Sequence, residues 1–155
     1  MNIQYPYMPS NGEIKYVSLD NLYMREAKGV AEKESLDNTV PTGAVIVLAG
    51  EIIGRGANGS NHHKEFGCER VRLGIPTGQK YELCEGCHPK NHAEPRAIAN
   101  ALKSHQSIAG AELYLWGHWW CCEPCWNSML GAGINTAYLL EGSETLFNKP
   151  RQPRE

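Results

Sequence analysis

Apolar residues recur at helical spacing in three stretches of the chain and as short unbroken runs in four others, and the interleaving of the two patterns predicts an α/β fold. Leu19, Leu22, Tyr23, Ala27 and Val30 form the first helical stripe. Ser18 can cap it, which predicts an amphipathic helix over residues 19–34 lying on one face of a sheet. The runs at 43–49 and 52–57 flank Gly50-Glu51 and read as antiparallel strands joined by a tight turn. Ala97, Ile98, Ala101 and Leu102 make the next stripe, on a helix starting near Glu94 with Pro95 in its first turn. Residues 112–116 read as a strand. Pro124 suits the start of a third helix whose buried face is Trp126, Met129 and Leu130, and Gly131 and Gly133 end it before a strand at 137–140. This last segment is a βαβ unit, which requires a parallel pair with a right-handed crossover. The expected architecture is therefore three-layered, α/β/α, with a mixed central sheet of four to five strands and helices on both faces.

The 155 residues suit a single domain, 1–155. Residues 59–91 interrupt it with a segment rich in Gly, His, Cys and charge but poor in periodicity, and a loop this long needs something to order it. From about 142 the chain, with Pro150 and Pro153, reads as a tail. The net charge of −2 and the sequence pI of about 6.3 provide no broad basic field for duplex nucleic acid. The longest apolar run, 44–49, is too short to span a bilayer, and no stretch has the apolar length of a signal peptide. A soluble, cytoplasmic protein with no membrane partner is expected.

In that setting the six cysteines read as metal ligands rather than three disulfides. Cys84 and Cys87 form one C-x-x-C, Cys122 and Cys125 another. His92, Cys122 and Cys125 make the imidazole and thiolate set that zinc favours while leaving a fourth position for water. Both groups fall at predicted helix starts, where unpaired N–H groups and the helix dipole favour thiolate over thiol. Glu94, two residues past His92, can face that water without ligating and so shuttle protons. Cys68, Cys84 and Cys87, completed by His63, would close a second, structural zinc site. His88 directly adjoins Cys87, which makes joint ligation harder, and buried thiols with surface imidazoles are the plain alternative. Arg70, Arg72, Lys64 and Lys80 are candidate phosphate contacts, weighed against an ordinary solvated loop.

His92-Ala93-Glu94 and Cys122-Glu123-Pro124-Cys125, separated by a helix and a strand, resemble the H-x-E and P-C-x-x-C motifs of the cytidine deaminase superfamily. The likeness continues through residues 130–134 and, more loosely, back through 41–47 and 56–58. It is greatest to the deoxycytidylate deaminase branch, which also carries an ordered, often zinc-bearing insertion before H-x-E. Two departures stand out. Cys121 occupies the family's proline position and could compete with Cys122 as ligand, although Cys122 keeps the two-residue gap to Cys125. The chain after Leu140 is also short for the family's fifth strand and last helix.

The resemblance implies hydrolytic deamination of a cytosine nucleotide, dCMP to dUMP and ammonia, with zinc-bound hydroxide attacking C4 and Glu94 moving the protons. It further implies that Asn58 contacts the sugar, that the backbone at Ala44 and Ala93 approaches the base, and that Trp119 or Trp120 walls the pocket. A homo-oligomer is implied too, and the aromatic stretch from Trp116 to Trp126 is a candidate interface if exposed. Plainer readings stand beside these: Asn58-Gly59 is a turn signal, and the indoles can be core. Cytidine, cytosine in single-stranded nucleic acid and a purine are rival substrates. A non-enzymatic zinc module would instead hold each metal with four protein ligands.

Overall fold

The computed structural model describes residues 7–37, 40–66, 68–75, 83–84 and 87–148, the side chains of 62–64 excepted. Five strands build one mixed sheet: β1 (Glu13–Val17), β2 (Gly43–Leu48), β3 (Glu51–Ala57), β4 (Glu112–Trp116) and β5 (Thr136–Leu140). Their spatial order is β1-β5-β4-β2-β3. The β2–β3 hairpin and the β2–β4 pair are antiparallel, while β4–β5 is parallel, as the βαβ pattern requires. The edge beyond β5 holds the segment that sequence patterning missed. β1 lies there parallel to β5, with Ile14 opposite Ala137. Residues after Leu140 add no further strand among those described. They turn into a short helix, α6 (Ser143–Phe147), where a tail was expected, and Phe147 packs edge-on against Trp116 at 4.9 Å.

Alternation along β2 explains the layers, because successive side chains leave a strand on opposite faces. Val45 and Val47 meet helix α1 (Leu22–Glu34) through Met24, Ala27 and Val30, together with Tyr114 and Leu140. Ala44 and Ile46 point the other way. They join Leu113, Leu115, Ala137 and Leu139 beneath α4 (Ala93–Leu102) and α5 (Glu123–Gly131). In α1 the cap is Asn21 rather than Ser18: its Oδ1 accepts from the amides of Tyr23 at 2.9 Å and Met24 at 3.0 Å. The helix starts three residues later than expected, which leaves Leu19 outside it and exposed; Leu22, its first residue, is exposed too, and Met24 joins Ala27 and Val30 on the buried face. Leu102, read as core, is likewise exposed.

Gly54 and Gly56 let α4 lie directly on β3. A Cβ on Gly54 would sit 2.6 Å from the Ala97 carbonyl oxygen, and one on Gly56 would be 2.7 Å from the Ala93 carbonyl oxygen and would overlap the Ala97 amide nitrogen. Only a residue without a side chain permits that approach. Among the described residues the insertion holds α2 (Asn61–Phe66), α3 (Glu69–Arg72) and a 3-10 turn at Pro89–Asn91 leading into α4. No helix among the described residues is long and apolar enough to cross a membrane.

Candidate metal centre and active site

His92 and Cys122 are the residues that cap α4 and α5. Their side chains meet between the two helix starts. His92 Nδ1 lies 3.3 Å from Cys125 Sγ and 3.5 Å from Cys122 Sγ, and the two sulfurs are 3.3 Å apart. A tetrahedral zinc with ordinary bond lengths would separate sulfur from sulfur by about 3.8 Å and sulfur from nitrogen by about 3.6 Å. The three donors need to open by only a few tenths of an ångström to admit the ion, so the set fits. Among the described residues this cluster numbers three donors.

The imidazole is oriented from its far side. His92 Nε2 is 3.2 Å from the Cys87 carbonyl oxygen. A carbonyl can only accept, so Nε2 carries a hydrogen and Nδ1 is the nitrogen turned toward the sulfurs. Burial works against a charged His92, but the Cys122 sulfur and the Glu94 carboxylate outweigh it and raise the pKa. Hydrogen bonding from Cys125 pulls Cys122 down to about 5 against the cost of burial, with help from His92. Burial holds Cys125 well above the usual thiol range. One thiolate is thus ready for a cation, and the second forms when a cation displaces its proton.

Glu94, one residue into α4, is 5% exposed. Burial raises its carboxyl pKa, opposed by His92 and by a hydrogen bond with Cys125. Cys121 lies outside the donor cluster. It is fully buried and hydrogen-bonds Glu94, and burial together with that carboxylate raises its thiol pKa.

Cys68, Cys84 and Cys87 form a second cluster, with Cys68 Sγ 3.5 Å from Cys87 Sγ. Arg70, a candidate phosphate contact whose plainer reading is a solvated loop residue, is instead buried and donates from Nη1 to Cys87 Sγ at 3.1 Å. Arg72 is exposed and pairs with Glu69. The Cys68 sulfur and burial raise the Cys87 pKa, and Arg70 counters them. The side chains of His63 and Lys64, and all of Lys80, lie outside the described residues. His88 uses Nδ1 to accept from the Lys90 amide at 3.1 Å. No disulfide links any of the six cysteines.

Ala44, Ala93 and Trp120 share one buried cluster with Cys84, Cys87, Cys122 and Cys125, and Cys68 packs against it. Asn58 stands at the end of β3 with its amide engaged in the backbone. Its Oδ1 accepts from Ser35 Oγ at 2.5 Å and from the Thr42 amide at 2.9 Å, and its Nδ2 donates to the Val40 carbonyl at 2.8 Å. Of the indoles between Trp116 and Trp126, those of Trp119, Trp120 and Trp126 are buried within the chain and Trp116 is half-buried. Arg96 went unnoticed in the sequence. It spans from the Ala57 carbonyl, at 3.1 Å, to Asn91 Oδ1, at 2.9 Å, and ties β3 to the turn before His92.

Fold and donor set together define a zinc-binding deaminase. Residues 17–141 match the cytidine and deoxycytidylate deaminase zinc-binding region, and the chain belongs to that family. Among solved structures it is similar to the dCMP deaminase of cyanophage S-TIM5 in apo form, with 23% identity over 84% of this chain and 90% of that one and a TM-score of 0.52. The same enzyme in complex with dCMP and dUMP matches at 22% identity over 90% of each chain, again with a TM-score of 0.52. Guanine deaminase from Bacillus subtilis matches at 21% identity over 81% of this chain and 69% of that one, with a TM-score of 0.47. No curated protein matches.

Proposed function

We propose that this chain hydrolyses the exocyclic amine of a cytosine nucleotide, most simply dCMP to dUMP, at a zinc held by His92, Cys122 and Cys125. The observation that carries this reading is a three-donor cluster between two helix starts with the buried Glu94 carboxyl beside it. Zinc in such a site supplies a hydroxide nucleophile at neutral pH by lowering the pKa of water from about 16 toward 7. Glu94 would take the proton released from that water and pass it to ring N3 as the C4–O bond forms, then take the proton of the new C4 hydroxyl and pass it to the amine as the C4–N bond breaks, leaving a C4 carbonyl and ammonia. Water adds and ammonia leaves, so the balance closes without an oxidant or a second substrate.

Three further residues shape the reading. Cys121 steadies the carboxylate through its hydrogen bond. Asn58 holds the strand end and the segment at 40–42 together, which sets the rim where a sugar would lie. Ala44 and Ala93 bring small side chains to the place where a flat base needs room. The choice of dCMP draws on the family and on a phage enzyme of similar fold known in complex with dCMP and dUMP. A second zinc at Cys68, Cys84 and Cys87, completed by His63, belongs to the same reading.

The test pairs a substrate panel with Glu94→Gln. Ammonia release is followed with cytosine, cytidine, dCMP, a single-stranded oligonucleotide, adenosine and guanine. Turnover should be greatest with dCMP, and the Gln variant should lose at least about 10⁴-fold in kcat, since one residue serves several proton transfers, while keeping its zinc. Full activity in the Gln variant would refute the shuttle. Preference for another substrate would move the assignment to that substrate.

A further inference from the structure

The two cysteine clusters meet at Cys87. Its sulfur belongs to the second cluster and accepts from the buried Arg70 guanidinium at 3.1 Å. Its amide donates to the Cys84 carbonyl at 3.1 Å, closing the C-x-x-C turn. Its own carbonyl is the oxygen facing His92 Nε2 at 3.2 Å. Between the two residues the chain has little slack, because the Asn91 amide bonds the His88 carbonyl at 2.8 Å and the His92 amide bonds the Pro89 carbonyl at 3.0 Å. One residue therefore has its side chain in one candidate metal site while its backbone orients a ligand of the other.

We propose that the second cysteine cluster acts as a positioning device for the catalytic site: a metal bound by Cys68, Cys84 and Cys87 fixes the Cys87 carbonyl, which holds His92 with Nδ1 aimed at the catalytic metal. The inference rests on the two-zinc reading above and adds to it that the sites bind their ions interdependently. Partners that hold the far nitrogen of a ligating histidine set its tautomer and ring direction, and their loss commonly costs 10–100-fold in metal affinity. Here that partner is a backbone carbonyl, so its position depends on what anchors Cys87. Arg70 adds to the anchorage. Coupling of this kind is reciprocal, so the catalytic site must strengthen the second by the same factor.

The test uses the full chain loaded with zinc and needs no turnover. Total zinc is measured by mass spectrometry, retention by competition with a chelator, and the His92 ring by long-range ¹H–¹⁵N correlation. Wild-type protein should hold two equivalents and show a hydrogen on Nε2. Cys84→Ser should hold one equivalent, release it at chelator concentrations about 10–100-fold lower than wild type, and shift the Nε2 resonance. If Cys84→Ser fails to fold, Cys125→Ser reads the same coupling from the other side and should weaken the second ion by a similar factor. Wild-type retention of the remaining ion in either variant would overturn the proposal while leaving two independent zincs standing. A wild-type protein holding fewer than two equivalents would overturn the two-zinc reading and this inference with it.

Discussion

Gly56→Ala should loosen the catalytic metal without altering any donor atom. The new methyl group would lie 2.7 Å from the Ala93 carbonyl oxygen and overlap the Ala97 amide nitrogen, and both belong to the helix backbone, which cannot rotate aside. Ordinary contact begins near 3.4 Å, so the first turns of α4 must retreat by at least about 0.7 Å. His92 and Glu94 ride on that turn, whereas Cys122 and Cys125 ride on α5. Metal sites tolerate ligand displacements of about 0.2 Å, so the shift exceeds the tolerance several times over. Overpacking of this kind costs about 1–3 kcal/mol of stability, and a misplacement of about 1 Å at a reacting centre costs about 10²-fold in rate. Zinc retention by chelator competition, kcat on the preferred substrate and Tm should all fall. Gly29→Ala is the matched control. It lies inside α1 with open space where the methyl group would go, so it should add about 0.5–1 kcal/mol and leave zinc untouched. A Gly56→Ala protein with wild-type Tm, zinc retention and kcat would show that the close approach of α4 to β3 does not set the site.

Two further outcomes test the fold. Asn21→Ala removes the acceptor of two helix-start amides and should cost about 1 kcal/mol in urea unfolding, while Ser18→Ala should change stability by less than about 0.5 kcal/mol; equal effects would mean that the cap is misplaced. Burial raises the Tyr114 phenol from its ordinary 10 to about 12, so its contribution to stability is intact below pH 10 and is lost as pH rises from 10 to 12. Urea midpoints measured across that window should fall in the wild type and fall less in Tyr114→Phe, and parallel slopes would refute the assignment.

The hairpin, the βαβ unit and the two motifs whose donors cluster between α4 and α5 were legible because each is encoded locally. Unbroken apolar runs bounded by glycine make strands wherever a sheet exists, and His92-Ala93-Glu94 and Cys122-Glu123-Pro124-Cys125 place their donors by helix-start geometry alone. The short helices of the insertion were not legible, because segments of four to six residues carry too little pattern to separate from loop. Asn58 was found for its position. Its three side-chain hydrogen bonds to the segment at 35–42 depend on a loop whose path no spacing rule gives.

Tertiary structure decided the rest. Residues 13–17 alternate charge and apolar character without a strong signature, and they become β1 only because β5 offers an unpaired edge for their backbone groups. Arg70 reads as a surface cation until the insertion folds over the cysteines and buries it against Cys87. The carbonyl that orients His92 is a main-chain atom with no letter in the sequence. Side-chain chemistry and local periodicity thus determined which atoms the protein has to work with. Their aim was set by backbone groups and edge pairings, which exist only when distant segments come into contact.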